Sequence, residues 1–416
     1  MEMRTFAERL IEFPTVDGGE ADAAAWTRQR LDALGFETYE WLADAEELAA
    51  HSSFPDDPDL IDTVDRPSVA GVLTFGDPES GPTLVLNGHL DVVPADDDAW
   101  SSDPFTPTWG ETDDGAETLT ARGAVDMKSP LAACVFAALD AAERAEEAGL
   151  DGRIVVEAVA GEEEGGIGAA AAALSNPYPF ERDAAIVAEP TELTPITATE
   201  GTVMKRLEVQ GRAAHAASRW RGEDVLPHFE RIRAAFQELE TERGETVTHP
   251  LYEEYPVPWP IVIGIVEAGN WASSVPSSLT AEMRFGVAPG ETVDEVEQQY
   301  EEALQAVVDS DDWLSEHPPT FERFSIQFES AEVDADEPIV RTLREAMMDT
   351  GLPDTDPRGA TYGADSRHYV AAGIPTVLFG PGSIEQAHFP DETIEWADVE
   401  QARETLAETA VRFLQS

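Results

Sequence analysis

Four short hydrophobic runs in this chain each stop abruptly at residues able to bind a metal ion, and that pattern restricts the fold more than any other feature. Thr83 to Gly88 leads into His89-Leu90-Asp91, Ile154 to Gly161 into Glu162-Glu163, and Ala184 to Ala188 into Glu189; Ile374 to Gly382 is followed shortly by His388. Apolar runs of this length bounded by Gly or Pro read as buried strands. In open α/β sheets the ligand site lies beyond the carboxyl ends of the strands. The pattern therefore predicts two imidazoles and several carboxylates on one edge of a sheet, an arrangement suited to divalent cations.

At 416 residues the chain is long enough for two domains, since single cores seldom grow past about 250 to 300 residues. Its 84 acidic against 26 basic residues give a net charge of -58. Such a field repels phosphate backbones and anionic lipid, so neither nucleic acid nor a membrane is an expected partner. Self-repulsion on this scale is best tolerated where salt screens it, the Debye length being about 3 Å at 1 M. Because the acidic excess runs along the whole chain, it points to a halophile. The lone Cys134 forbids an intrachain disulfide and, in an Ala-rich apolar stretch, reads as a buried structural thiol. Met1 to Ile11 carries Glu2, Arg4, Glu8 and Arg9, unlike a signal peptide or membrane anchor, and a cytoplasmic location is expected.

Helical spacing of Phe6, Leu10 and Ile11, and of Trp26, Leu31 and Leu34, alternates with strand patterns at Val69 to Phe75 and Leu84 to Leu86. Ser129 and Pro130 read as N-cap and first residue of an Ala-rich helix over Leu131 to Ala148. Strand, helix and strand in succession predict a largely parallel, buried sheet. Near Pro195 the pattern changes to a strand (Val203 to Val209), a helix (Val225 to Leu239), strands Ile261 to Val266 and Leu279 to Phe285, a helix (Val293 to Val308) and a strand (Phe324 to Phe328). That βαββαβ order matches a ferredoxin-like unit. The α/β pattern resumes with a helix over Ile339 to Met348 and a strand over Thr376 to Phe379. The expected division is a discontinuous metal-binding domain, 1–193 with 332–416, and an inserted domain, 194–331.

In His89-Leu90-Asp91 the polar side chains are two apart and share one side of an extended chain. A carboxylate so placed can accept the second imidazole N–H and orient the ring for metal. Asp126 lies just before a helix start, where a carboxylate can bridge two cations about 3.5 to 4 Å apart; alone it reads equally as a capping residue. In Glu162-Glu163-Glu164-Gly165-Gly166-Ile167-Gly168, neighbouring carboxylates at a strand exit allow one to bind metal while another handles protons. A triple Glu can arise by chance in so acidic a chain, but the glycines, which let backbone crowd a site, favour function. Glu189 is a signal of the same kind.

The ordered series NGHLDVVP, ARGAVDMKSPLAA, GEEEGGIG, VAEPT, GRAAHAA, GADSR, GIPTVLFGPG and AHFPDE resembles peptidase family M20, which includes glutamate carboxypeptidase, aminoacylase, acetylornithine deacetylase and succinyl-diaminopimelate desuccinylase. The resemblance runs from about His89 to His388. It implies an α/β zinc-exopeptidase-like catalytic domain with a mainly parallel central sheet, plus an inserted α+β ferredoxin-like lid through which a homodimer forms. Carried over residue by residue, it makes His89, Glu163, Glu189 and His388 terminal ligands of two Zn²⁺ per subunit, with Asp126 bridging. Co²⁺ or Mn²⁺ can share such ligands. Asp91 would then orient His89, and Glu162 would be the general base. His215 matches a lid histidine that helps hold the oxyanion, often from the partner subunit, and Arg284 an arginine that grips a substrate carboxylate. Arg367 reads equally as a site residue or as the partner of Asp365. Two departures stand out: Ser273-Ser274-Val275-Pro276 replaces the usual lid Asn turn, and Gly161 stands where many relatives carry Asp. The expected activity is hydrolysis of an N-acyl amino acid amide, of deacetylase or desuccinylase type. Alternatives are a carboxypeptidase or dipeptidase of the same family and, from another class, a non-catalytic metal-stabilised binding protein. A glycosidase using paired carboxylates would leave both histidines unemployed.

Overall fold

The computed structural model describes residues 2–415. Across its nine-stranded sheet the order is Glu37–Trp41, Ser68–Phe75, Gly152–Val159, Thr83–His89, Ala184–Val187, Thr376–Leu378, Ile196–Thr199 and Ala331–Glu332, with Arg358–Ala360 paired to Ile196–Thr199. The four central strands, from Gly152–Val159 to Thr376–Leu378, run parallel. Antiparallel pairings flank them on both sides. This is the α/β fold with a parallel centre that the strand and helix order predicts.

Every residue of Thr83–His89 is buried. Leu84 and Leu86 enter the core that includes helices Lys128–Ala148 and Trp396–Phe413, while Val85 enters the opposite core beside Val155, Ala185 and Tyr369. A strand covered on both faces is mostly apolar, which is why these segments read as near-continuous runs rather than alternations; the buried exceptions Asn87 and Glu157 bond to each other, Asn87 Nδ2 donating to Glu157 at 3.3 Å and to the Tyr369 hydroxyl at 2.9 Å. Cys134 is buried in Lys128–Ala148, and burial pushes its thiol up to about 12.

The helix after Asp126 starts earlier than expected. It spans Lys128–Ala148, its N-cap is Met127 with no side-chain cap, and Ser129 lies inside the first turn with its hydroxyl unpartnered. The expected Ser129 cap is thus replaced by backbone: Lys128 N–H donates to the Gly123 carbonyl at 2.8 Å. At the other end Gly149 takes the left-handed conformation, as a C-terminal glycine should.

A second sheet orders Ile261–Ala268, Ser278–Val287, Gly201–Gln210 and Thr320–Arg323, all antiparallel. It shares its core with helices Val225–Thr246 and Val293–Asp309. The expected strand at Phe324 to Phe328 is displaced to Thr320–Arg323, and Phe328 keeps only an isolated bridge to Thr202. The cause is local. Gln327 uses its side-chain oxygen to accept the Met204 N–H and its own N–H to reach the Ser53 carbonyl, so residues 324–327 peel away from the sheet. The large core draws on residues up to Leu193 and from Val333 onward, and the small one on Val203 to Leu314. Among the described residues no helix is long and apolar enough to cross a membrane.

Candidate metal centre

Strand register sets the donors at one level. His89 pairs with Val159, and Asn87 with Val187, so the chain exits toward Glu162-Glu163 and Glu189 lie beside His89 at the carboxyl edge of three adjacent strands. Leu378 pairs with Val187 on the next parallel strand, whose continuation carries His388. Asp126 comes from the loop before helix Lys128–Ala148. One ligand-capable atom from each of His89, Asp126 and Glu163 lies within 4.8 Å of the others. Asp126, Glu163, Glu189 and His388 line a single cavity of ≈ 390 Å³, together with Glu162 and Arg284.

Asp126 divides its oxygens between the imidazoles. His89 Nε2 is 2.9 Å from Oδ1, and His388 Nε2 is 3.5 Å from Oδ2. His388 Nε2 also lies 3.1 Å from Glu163 Oε2. Asp91 acts differently from expectation: its backbone carbonyl, at 2.9 Å, accepts from His89 Nδ1, while its carboxylate Oδ1 is 3.7 Å away. That carboxylate is engaged elsewhere. It accepts the N–H groups of Glu162 at 3.1 Å and Glu163 at 2.9 Å, clamping the turn that presents both glutamates. Gly161, at φ +73°, starts this turn; a Cβ there would meet Ile167 at 3.0 Å. An Asp at this position would therefore be strained here.

The cluster calls for positive charge. Burial first, then the carboxylates of Glu189 and Asp365, pushes Glu162 well above its ordinary value. Burial and Asp126 do the same to Glu189. Hydrogen bonds to Asp126 and Glu163 push His388 up to about 10. Burial opposes a charge on His89, yet Asp126, Asp91 and Glu189 raise it well above its usual range. Crowded carboxylates of this kind are stabilised by protons or by cations. Glu189 Oε1 is buried without a hydrogen-bond partner, a vacant acceptor in a site rich in acceptors.

Glu392, four residues after His388, supports the site from below. Its carboxylate accepts Arg122 Nη1 at 2.6 Å and the backbone N–H groups of Gly123, Val125 and Asp126 at 3.0, 2.7 and 3.0 Å. One buried carboxylate therefore shapes the loop that aims Asp126. Glu392→Ala is expected to destabilise the protein by about 3–5 kcal/mol, because it leaves Arg122 buried and unpaired; urea unfolding in molar salt checks this. Sequence reading passed over this residue, although it ends the AHFPDE segment.

Arg284 reaches the cavity with Nη1 3.0 Å from Glu200 Oε1 and Nη2 donating to the Thr361 carbonyl at 3.2 Å. Glu200 is fully buried, and burial pushes its carboxyl up to about 7 against the pull of Arg284. Glu200 and Tyr362, which also lines the cavity, carried no motif that would single them out. Arg367 hydrogen-bonds the carbonyls of Ala364 and Gly165 rather than Asp365, and so braces the same glutamate turn. His215 is not brought to the cavity. It is exposed, its Nδ1 accepts the Ala217 N–H at 3.1 Å, and it forms an isolated bridge to Ser274 of the Ser273-Ser274-Val275-Pro276 turn.

The model of peptidase family M20/M25/M40 matches residues 85–412. The N-formyl-4-amino-5-aminomethyl-2-methylpyrimidine deformylase of Halalkalibacterium halodurans is 26% identical over 433 residues, covering 97% of this chain and 92% of that protein. The acetylornithine deacetylase of Pectobacterium carotovorum is 28% identical over 337 residues, 79% of this chain and 80% of that protein. Among solved structures, a tripeptidase from Staphylococcus aureus superposes with a TM-score of 0.74 at 18% identity, covering 100% of this chain and 98% of that one. A family model spanning most of the chain, over a site of this composition, leads to one conclusion: the chain belongs to peptidase family M20/M25/M40 and is a metal-dependent hydrolase of amide or peptide bonds.

Proposed function

We propose that the protein is a two-zinc amidohydrolase that cleaves the amide bond of N-acyl amino acids. The observation that carries this reading is the split of Asp126, one oxygen toward His89 and the other toward His388. A carboxylate shared this way fits a bridge, with His388 and Glu163 on one side and His89 and Glu189 on the other. Each side then offers nitrogen and oxygen donors of the kind zinc takes. Two cations held there would polarise the amide carbonyl and make a water acidic enough to ionise near neutral pH.

The chain's own residues do the rest. Glu162 accepts the proton of the attacking water and returns it to the leaving amine nitrogen. Arg284 retains N–H donors for a substrate carboxylate, and the partner subunit's His215 would complete the oxyanion contacts in a homodimer formed through the lid. In this reading residues 194–331 form the lid, inserted into a catalytic domain of residues 1–193 and 332–416. Cytoplasmic location and high-salt working conditions complete the reading, the latter on the net charge of -58.

The test is metal analysis together with a hydrolysis screen in molar salt, using N-acetylornithine, N-acetyl-lysine, N-succinyl-diaminopimelate and dipeptides. About two zinc per chain and release of free amine from an acyl amino acid are expected. A fully loaded protein that leaves every acyl amino acid intact sinks the proposal.

A further inference from the structure

The cavity over the metal centre does not end at its own walls. Glu163, Ser325 and Ile326 are shared with a neighbouring hollow of ≈ 350 Å³. Phe54, Pro55, Leu60, Ile61, Ile167 and Phe324 give that hollow apolar walls. Phe54, Ile61 and Ile167 belong to one buried hydrophobic cluster against which Ile326 packs. Ile326 reaches it because residues 324–327 leave the lid sheet, and because Gly165, at φ +102°, has no Cβ where one would meet Ile326 at 3.0 Å. Leu60 is 71% exposed. A single exposed leucine means little, but this one stands at the rim of an apolar hollow that opens onto the metal ligands.

Through a different part of the cavity wall, Tyr362 and Ile384 are shared with a second hollow of ≈ 380 Å³, whose walls include Thr191, Glu192, Thr194, Arg358, Thr361 and Glu385. Arg284 stands on that part of the wall, since it donates to the Thr361 carbonyl. With a substrate carboxylate held at Arg284, the Glu163, Ser325 and Ile326 part of the wall, which is shared with the apolar hollow, is open to the other arm of the amide. The charged groups lining that hollow are Asp62, Glu163 and Glu164. The nearby Arg66 is buried and already engaged by Glu20 and Glu164. Arg206, over the Phe324 ring, is held by Glu282, so among the described residues an anionic acyl group would meet carboxylates and no free cation.

We propose that this hollow is the acyl subsite, and that the enzyme prefers substrates whose acyl arm is an extended, uncharged apolar group, such as a medium alkanoyl or arylacetyl chain, over acetyl or succinyl. The inference rests on the amidohydrolase reading above and narrows its substrate class.

The test uses the zinc-loaded full chain in molar salt with N-acetyl-, N-hexanoyl-, N-phenylacetyl- and N-succinyl-ornithine. Burial of each added methylene favours binding by about fourfold, so kcat/KM for hexanoyl is expected to exceed that for acetyl by about 10²-fold, with succinyl at or below acetyl. Leu60→Ser, at an exposed position, should lower the hexanoyl-to-acetyl ratio several-fold. Measurable acetyl hydrolysis with a ratio near one, or a succinyl preference, overturns the subsite while leaving the amidohydrolase reading intact. Should no compound turn over, calorimetric titration of zinc-loaded Glu162→Gln protein with the hexanoyl and acetyl compounds reads the same ratio as Kd without catalysis. Equal affinities there, or no binding of either, overturn the subsite; tighter hexanoyl binding without turnover in the unmutated protein supports the subsite and removes the amidohydrolase reading.

Discussion

Glu162→Gln is expected to lower kcat for amide hydrolysis by about 10²- to 10⁴-fold while the protein still takes up two zinc ions. The reason lies in how the glutamate turn is held. The Asp91 carboxylate fixes the N–H groups of both Glu162 and Glu163, so the backbone that presents them does not depend on the Glu162 side chain. Glu163 is the one within 3.1 Å of His388; Glu162 lines the cavity without such a bond. Glutamine preserves shape and removes only the ability to take a proton. Glu163→Gln, by contrast, is expected to cost both metal and turnover. Measuring zinc content and kcat on the same preparations separates the two roles. An E162Q protein that keeps its rate, or one that loses its metal, would exclude Glu162 as the proton carrier.

Chelation is expected to cost stability on the same scale as loss of the Glu392 carboxylate. A ligand that binds only the folded state stabilises it by about 4 kcal/mol at a thousandfold excess over its Kd, and cations held here would also relieve repulsion among Asp126, Glu162, Glu163 and Glu189. Thermal melting in molar salt, before and after chelation and again after zinc addition, reads the effect. The metal-free protein should have a distinctive pH dependence. His388, pushed up to about 10 by Asp126 and Glu163, contributes stability that is fully present below its unfolded value near 6.5 and is lost as pH rises through 10. Burial of Glu162, raised above its usual range, acts in the same direction. The chelated protein should therefore weaken steadily from neutral to alkaline pH, and the loaded protein should not. Zinc bound through both imidazoles would displace their protons, so calorimetry in buffers of different protonation enthalpy is expected to show proton release on binding. A chelated protein with an unchanged melting curve would contradict a cation at this site.

Much of the architecture was legible because burial on two faces leaves a plain local trace. Thr83–His89, Gly152–Val159 and Ala184–Val187 were readable as strands to within a residue or two, since a central parallel strand has no polar face to interrupt its apolar run. The donors at their ends were readable for the same reason: a charged residue stops such a run. Other features left no local trace. The expected cap at Ser129 failed because Lys128 bonds back to Gly123 and Glu392 holds the preceding loop. Phe324 to Phe328 alternates like a strand, yet Gln327 diverts it with one side-chain bond to Met204. Asp91 stands where the HxD spacing put it, but its carboxylate faces the glutamate turn and its carbonyl the imidazole.

By itself, the amino-acid order determined which segments are buried strands and which residues stand at their carboxyl ends, because hydrophobic period and run length are properties of neighbours in the chain. Only the tertiary structure decided which oxygen of Asp126 faces which imidazole, that Glu392 shapes a loop some 266 to 270 residues away, that His215 stands apart from the cavity, and that Ile326 opens an apolar hollow beside Glu163. Those outcomes depend on strand register and on partners distant in sequence, where a shift of one residue turns every side chain to the other face.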